Sequence, residues 1–185
     1  MCTAKRQSGV SLIELIIFII IVSTAVAGVL SVMSITTQHS ADPMLRKQAQ
    51  AIAESLLEEI ELQPFTTCDP NDATASTGVC TTTPEAMGPD VNPDTGVTET
   101  RYDTANQFDN VNDYNGFSMT GINDITNTPV GGLGTYSASV AITQDGASFG
   151  LSADAVLKID VTVSASNDSL TLSGYRFRYA PNAVP

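Results

Sequence analysis

The feature that most constrains this chain is an uninterrupted apolar stretch near its N-terminus. The nineteen residues from Leu15 to Met33 carry no charge, and the next formal charge after Glu14 is Asp42. A helix over residues 10–33 would be about 36 Å long, against roughly 30 Å of bilayer hydrocarbon. Its apolar side chains occupy every face, as lipid exposure requires. A buried strand resembles this pattern only over about five or six residues, so we predict a transmembrane helix.

The flanking residues predict its orientation. Lys5 and Arg6 are the only basic residues ahead of Arg46, and basic residues beside a membrane helix stay in the cytoplasm. We therefore expect residues 1–9 in the cytoplasm and everything after about Ser34 outside it. A secretory signal also begins with a basic segment and an apolar stretch, but its peptidase cleaves after that stretch. The small residues of STAVAGVLS keep this alternative open.

A single carboxylate separates the two interpretations. Glu14 lies at the start of the apolar stretch. An acidic side chain costs about 2.5–3.5 kcal/mol at the centre of a membrane helix, somewhat less near its end, and is seldom present without a partner. A helix that only anchors a protein in the membrane does not need a carboxylate, so we expect Glu14 to have a function. The plainer alternative is a side chain that reaches the lipid headgroups.

The surrounding sequence, KRQSGVSLIELIIFIII, closely resembles the class III signal peptide of type IV prepilins and pseudopilins. In that family a prepilin peptidase cleaves on the cytoplasmic side, after a Gly, and methylates the new N-terminus. The resemblance implies cleavage after Gly9, N-methylation of Val10, where the family most often has Phe, and an assembly role for Glu14, fifth in the mature chain. It implies four partners: that peptidase, other pilins or pseudopilins, an inner-membrane assembly platform and membrane lipid.

Physical chemistry gives Glu14 a task in such a filament. Cleavage after Gly9 leaves a cationic secondary amine on Val10, in lipid or in a bundle of similar helices. A Glu14 carboxylate that pairs with this ammonium on a neighbouring subunit relieves two desolvated charges at once. We therefore expect substitution of Glu14 to leave membrane insertion intact and to abolish incorporation into the filament.

A second helical pattern follows the apolar stretch. Asp42 and Pro43 either begin a separate helix, as N-cap and first residue, or lie within one long helix; the resemblance to pilins favours the second. We predict one helix over residues 10–63, transmembrane over 10–33 and amphipathic over 34–63. Apolar residues recur on one face of the second half, at steps of three and four: Leu45, Ala49, Ile52, Ala53, Leu56, Leu57 and Ile60.

The late turns of this helix are acidic, and we expect Glu54, Glu58, Glu59 and Glu61 to form a solvated face, with contacts between subunits as the alternative. The segment QAIAESLLEEIELQPF resembles minor pilins of the MSHA pilus group, the MshD-like proteins, and PilV-like minor pilins. The segment RYDTANQFDNVNDYNGF resembles the MshD-like proteins as well.

Residues 64–134 are rich in turn formers, because Asp, Asn, Gly and Pro make up 30 of their 71 residues. We expect sparse regular structure here. Disorder is the competing interpretation, but five aromatic residues offer anchors for packing: Phe65, Tyr102, Phe108, Tyr114 and Phe117.

The cysteines form an even pair once the leader is removed. Cys2 lies in the leader, which leaves Cys68 and Cys80 in an oxidising periplasm. We predict a disulfide between them, worth about 3 kcal/mol in the chain-entropy model for a loop of this size. Neither a CxxC pattern nor a neighbouring His accompanies the pair, so we expect no zinc site.

One acidic loop has the alternating oxygen side chains of a calcium loop, at Asp90, Asn92 and Asp94, and some pseudopilins bind calcium. The EF-hand template then fails twice, because Thr95 stands where Gly is needed and Arg101 where the bidentate Glu is needed. We therefore expect a turn-rich acidic loop, with no metal and no other cofactor in the chain.

From residue 135 to about residue 179 the apolar period changes to two, which predicts a small antiparallel sheet. A turn at Asn167-Asp168 joins the last two strands as a hairpin. The inward-facing residues are expected to be Tyr136, Ala138, Val140, Ile142, Leu157, Ile159, Val161 and Val163.

In the last strand three aromatic residues are out of phase with Leu170 and Leu172. We predict a β-bulge at Ser173-Gly174 that turns both sets toward the helix; the aromatic set is Tyr175, Phe177 and Tyr179. Arg176 and Arg178 then lie on the opposite face, exposed to solvent or in contact with an acidic neighbouring subunit.

These patterns predict an α+β, pilin-like fold, in which a long N-terminal transmembrane helix packs against a small C-terminal antiparallel sheet in a loop-rich periplasmic head over residues 64–185. The chain has 20 acidic and 8 basic residues and a net charge of −12, which argues against a nucleic-acid partner. The single histidine, His39, follows the membrane segment, and no phosphate-binding glycine loop occurs, so we expect no enzymatic activity.

The function that we expect from the resemblance is that of a minor pilin of a type IV, MSHA-like pilus, a structural and assembly subunit. It would span the bacterial inner membrane once, with a cytoplasmic N-terminus and a periplasmic head, and then become part of the pilus at the cell surface. A minor pseudopilin of a type II secretion system and an adhesin-like tip subunit are the alternatives.

Overall fold

The computed structural model describes residues 11–81, 84–166 and 168–183, with side chains described at all of these except residues 35–42. Gly9 and Val10, the expected processing site, lie outside the described residues, as do Cys2 and Asn167. The chain divides into two compact units, Met1–Met44 and Leu45–Pro185.

One α-helix, α1, covers Leu12–Glu61 and contains Pro43. Its bounds lie two residues inside the predicted range of 10–63 at each end, and the proline lies within the helix and not at its start. The segment Leu12–Ser34 has a mean hydropathy of 2.8 and is long and apolar enough to cross a membrane. The chain therefore has one N-terminal helix with the dimensions of a single-pass anchor.

Two hydroxyl groups of this apolar segment are satisfied within the helix. The Ser23 hydroxyl donates to the Ile19 carbonyl, and the Thr24 hydroxyl donates to the Ile20 carbonyl at 3.0 Å. A hydroxyl bonded to its own backbone needs no water, which suits a helix in an apolar environment.

The described part of the C-terminal unit contains one antiparallel sheet of four strands, which lie side by side in chain order. The strands are β1, Ser118–Thr120; β2, Tyr136–Gln144; β3, Val156–Ala165; and β4, Asp168–Phe177.

The core lies between the sheet and the later turns of α1. Every residue predicted to face inward from β2 and β3 is buried, at 4% exposure or less. Each large apolar side chain buried there contributes about 1.5–3 kcal/mol. The α1 residues buried in this core are Ala49, Ile52, Ala53, Leu56 and Ile60.

The predicted bulge at Ser173-Gly174 is wrong. Strand β4 pairs with β3 along its whole length without an extra residue. Strict alternation then places Tyr175 and Phe177 on the outer face of the sheet, where both rings pack edge-on against Phe149 with centroids 5.5 and 5.1 Å apart. These aromatic residues therefore face away from α1.

A close approach of helix and strand explains the glycine. Gly174 lies on the inner face of β4, and a Cβ at this position would come 3.0 Å from Leu57 Cδ1 and closer still to the Glu61 carboxylate. Glycine therefore lets the strand approach α1 while the Leu57 and Glu61 side chains keep their positions.

The two arginines of this region also differ from the prediction. Arg176 lies on the inner face of β4, and its Nη2 donates to the Gln63 carbonyl at 3.2 Å. Arg178, just after the strand, forms an ion pair with Asp154 and lies over the Phe65 ring at 5.3 Å. Both cations thus have partners within the chain, because the uninterrupted register reverses the faces expected from a bulge.

The turn-rich segment is packed. Phe65 and Phe108 are buried, and Tyr114 is fully buried, with the Phe108 and Tyr114 rings edge-to-face at 4.9 Å. Phe117 packs edge-on against both of these rings. Aromatic anchoring, and not disorder, therefore describes this region.

Candidate functional site

Glu14 is the one residue of the expected processing and assembly site that the structure describes. It lies in the first turn of α1, within the apolar segment Leu12–Ser34, and its side chain is exposed. A carboxylate in the first turn is favoured by the helix dipole, by about 0.3–1 kcal/mol. The structure thus presents a negative charge at the N-terminal end of an otherwise apolar helix surface.

The predicted disulfide is present in the C-terminal unit. Cys68 and Cys80 are bonded, with Cα atoms 5.3 Å apart. The Asp72 carboxylate orders the enclosed loop, because it accepts hydrogen bonds from the backbone N–H groups of Thr74, at 2.8 Å, and of Thr81, at 2.6 Å. The disulfide and these bonds hold the segment that contains Asp69, one of the clustered acids described below.

One member of the acidic face expected on α1 is not solvated. Glu59 is half-buried and accepts two hydrogen bonds from Arg101, each 2.7 Å long, and a third of 2.9 Å from the Tyr114 hydroxyl. The planar guanidinium matches the carboxylate in a bidentate pair. Sequence spacing missed this pair because its members are 42 residues apart in the chain.

The largest group of unexplained polar side chains is a set of acids in the C-terminal unit, here called the carboxylate cluster. Its members come from separate loop segments that the fold brings together. They are Asp69, Glu85, Asp90, Glu99, Asp109 and Asp113.

Three overlapping triads make up the carboxylate cluster, and in each triad the potential ligand oxygens all lie within 4.8 Å of one another. Any two triads share one residue. The triads are Asp69, Glu99 and Asp109; Asp69, Glu85 and Asp90; and Asp90, Glu99 and Asp113.

Local hydrogen bonds orient several of these carboxylates. Asp69 accepts from the Asn71 backbone N–H at 2.6 Å, and Asp109 accepts from the Asn71 side-chain amide. One oxygen of Asp113 accepts the backbone N–H groups of Asn110, at 2.8 Å, and of Asp109, at 3.1 Å. In each of these carboxylates, one oxygen accepts the hydrogen bonds, and these bonds fix the direction of the other oxygen.

Other oxygens of the cluster are buried without a hydrogen-bond partner among the described residues. Both oxygens of Glu85 and both of Glu99 are in this state, as are Oδ2 of Asp69 and Oδ1 of Asp113. Asp113 and Glu99 are the most completely enclosed of them, with 0% and 1% of their surfaces exposed. A buried carboxylate without partners is costly, since neither water nor a donor compensates for lost hydration.

The pKa values of the carboxylate cluster are raised. Burial, and then repulsion from other carboxylates, raises the pKa of Glu99 to about 9 and that of Asp109 to about 8. Burial also raises the pKa values of Glu85 and Asp113, which interact with each other. The charged form is therefore disfavoured unless a positive charge is close by.

The acidic loop of the sequence analysis contributes only its first residue to the cluster. Asn92 instead caps its own turn, because its side-chain oxygen accepts the backbone N–H groups of Asp94, at 2.9 Å, and of Thr95, at 3.3 Å. Residues 92–95 therefore form a hydrogen-bonded turn, as the sequence predicts. Asp90 is directed toward the other acids, and no local spacing could indicate that, because the cluster spans residues 69–113.

The enclosure of these acids limits what they can do. A side chain as buried as Glu99 cannot reach a substrate in solution. Comparison with protein-family models, with curated proteins and with solved structures finds no match.

Proposed function

We propose that this chain is a minor pilin of a type IV, MSHA-like pilus, a structural subunit built into a filament through its N-terminal helix. The observation that carries the proposal is the position of Glu14, a carboxylate in the first turn of a membrane-length apolar helix. The class III signal-peptide resemblance places the cleavage site at Gly9 and the new N-terminus at Val10.

The charge chemistry of this end of the helix supports the assembly role. After cleavage, the N-methylated amine of Val10 is a cation in an apolar environment, and Glu14 is an anion in the same environment. Pairing between neighbouring subunits compensates for the lost hydration of both charges. Each subunit offers one anion and one cation, so the contact can repeat along a filament.

The C-terminal unit suits a location outside the cytoplasm. Disulfides persist in oxidising compartments such as the bacterial periplasm, and this unit contains the Cys68–Cys80 disulfide. With Lys5 and Arg6 before the helix, the positive-inside rule assigns the N-terminus to the cytoplasm. The subunit is thus proposed to reside in the inner membrane until an assembly platform extracts it into the pilus.

The test is a comparison of Glu14→Gln with Glu58→Gln, the same substitution at an exposed position of α1. Each full-length variant, with a C-terminal epitope tag, replaces the wild type in its native host. The amounts in the inner membrane and in the sheared filament fraction are then measured by immunoblot.

We expect equal amounts of all three proteins in the membrane. Stranding one buried charge costs about 3–5 kcal/mol, so Glu14→Gln should lower the filament fraction by at least about 100-fold, while Glu58→Gln should leave it unchanged. Wild-type incorporation of Glu14→Gln would contradict the proposed role.

A further inference from the structure

The carboxylate cluster concentrates negative charge that the rest of the described chain does not offset. The largest electrostatic influences on Glu99 and on Asp109 are all other carboxylates. The nearest arginine in sequence, Arg101, directs its guanidinium to Glu59 instead. Six acids held together therefore require positive charge from a source outside the chain, either bound protons or bound metal ions.

Glu99 distinguishes this cluster from an ordinary acidic surface. Its side chain is almost wholly buried, both its oxygens lack a hydrogen-bond partner among the described residues, and it belongs to two of the three triads. Its backbone N–H donates to the Asp90 carbonyl at 2.9 Å, so the residue is fixed in place with its carboxylate directed at Asp90 and Asp113. An enclosed, oriented and unpartnered carboxylate is typical of a metal ligand whose ion is absent.

The spacing of the oxygens is compatible with a bound calcium ion. Calcium–oxygen bonds are 2.3–2.6 Å long, so two oxygens on one calcium ion are at most about 5 Å apart. The ligand oxygens of each triad lie within 4.8 Å of one another, which is the separation that a central calcium ion allows.

We propose that the carboxylate cluster is a calcium-binding site, with Glu99 as its central ligand and Asp69, Asp90 and Asp113 around it. The triads overlap at Asp69, Asp90 and Glu99, and Asp113 belongs to the triad that contains Asp90 and Glu99. This inference does not depend on the filament role.

The ligand set favours calcium over other metals. Zinc prefers sulfur and nitrogen ligands, and both cysteines near the cluster are in the disulfide. Magnesium keeps several waters and seldom occupies sites made entirely of protein oxygens. Calcium takes six to eight oxygens in flexible geometry, which suits carboxylates that come from several loops.

Calcium bound here would cross-link the turn-rich segment. Asp69 follows the disulfide cysteine, Glu85 and Asp90 lie beyond the disulfide loop, and Asp113 lies in the short 3-10 helix Val111–Tyr114. One ion would tie these separate segments together and offset their mutual repulsion. We therefore expect calcium to stabilise the C-terminal unit.

The test uses full-length protein in detergent micelles, first dialysed against EGTA. Equilibrium dialysis with radioactive calcium measures binding directly, and circular dichroism measures the thermal unfolding midpoint with calcium or with an equal concentration of magnesium. We expect saturable calcium binding with a Kd of about 1 mM or tighter. Calcium should also raise the midpoint, and magnesium should do so less.

Two matched variants identify the site. Glu99→Gln removes one central charge, and Glu58→Gln removes an exposed one from α1. We expect Glu99→Gln to weaken calcium binding by at least about tenfold, with Glu58→Gln equal to the wild type. In EGTA, Glu99→Gln should unfold at the same or a higher temperature than the wild type, because glutamine has nearly the shape of glutamate and carries no charge that burial disfavours.

Three outcomes would overturn the proposal. The first is no saturable binding by the wild-type protein up to about 10 mM calcium, well above the range of extracellular sites. The second is calcium binding that leaves the unfolding midpoint unchanged, which would mean that the folded and unfolded chains bind the ion equally and that no folded site holds it. Unchanged binding in a folded Glu99→Gln variant would place the ion elsewhere.

Discussion

Removal of the Arg101 guanidinium tests how the C-terminal unit attaches its loops to α1. Arg101 is 5% exposed, and its guanidinium bonds both oxygens of Glu59 at 2.7 Å. It also donates to the backbone carbonyls of Asn123 and Asp124, at 3.2 and 3.3 Å. The substitution Arg101→Met keeps an apolar stem and removes all four of these hydrogen bonds.

The expected loss of stability follows from the Glu59 charge, which stays unpaired when the guanidinium is removed. Removing one partner of a buried ion pair destabilises a protein by about 3–5 kcal/mol, because the other charge stays unpaired. The Glu59 side chain is 22% exposed and retains the Tyr114 hydroxyl, so water can compensate in part. We therefore expect a loss of about 3 kcal/mol, a large part of the 5–15 kcal/mol by which proteins are usually stable.

The assay is urea denaturation of the full-length protein in detergent micelles, followed by the near-UV circular dichroism of its tyrosines. Lys158→Met is the control, since it removes the cation of an ion pair with Asp160 in which both side chains are about one-third exposed. Exposed pairs contribute about 0–1 kcal/mol. A double-mutant cycle with Glu59→Leu should give a coupling energy of about 2–3 kcal/mol.

Equal small effects of the two substitutions would refute the reasoning. If Arg101→Met costs less than about 1 kcal/mol, as an exposed ion pair does, the bonds to Glu59 do not hold the loop to the helix. A coupling energy near zero would lead to the same conclusion.

Three further predictions concern other contacts. Cys80→Ser should lower the free energy of unfolding by about 3 kcal/mol; reduction of the wild type with dithiothreitol should give the same loss in urea, and an unchanged midpoint would contradict it. Gly174→Val should cost about 1–3 kcal/mol because its side chain meets α1, whereas Ser169→Val on the outer face of β4 should stay within about 0.5 kcal/mol; equal urea midpoints would count against the close approach. The Thr126 hydroxyl lowers the pKa of Asp124 below 3.8. The ionised Asp124 side chain therefore stabilises the fold fully above pH 3.8, and this stabilisation disappears as the pH falls through the lowered pKa. Asp124→Ala should therefore unfold at lower urea concentration than the wild type at about pH 7, and this difference should shrink as the pH falls below 3.8.

Periodic patterns were a good guide to the regular elements of this chain. The apolar stretch and the stripe ending at Ile60 correspond to one helix, Leu12–Glu61, and the alternating segments correspond to β2, β3 and β4. Such patterns work because burial on one face repeats with the geometry of the helix or strand. The three-residue strand β1 has no such repeat and was missed.

Tertiary contacts explain the errors. From sequence alone, the change of phase at Gly174 indicates a bulge. In the structure, the glycine makes room for side chains of α1, and the aromatic residues after it pack on Phe149 at the outer face of the sheet. Glu59 looked solvated because its partner, Arg101, is far away in sequence. Neither partner is visible in a local pattern.

The candidate sites differ in the same way. Glu14 could be selected from sequence because its meaning lies in a fixed offset within an apolar stretch. The carboxylate cluster could not, because its six acids are spread among loops and are brought together only by the fold. Of the residues in the calcium-like loop, only Asp90 belongs to it.

The most direct test of the central claim is the mass of the N-terminal peptide of the protein purified from the membranes of its native host. Our account expects this peptide to begin at Val10 with one added methyl group on its amine, which requires cleavage after Gly9. A peptide that begins at Met1, or one that begins within STAVAGVLS after the apolar stretch, would contradict the account, because neither leaves the ammonium with which Glu14 is proposed to pair.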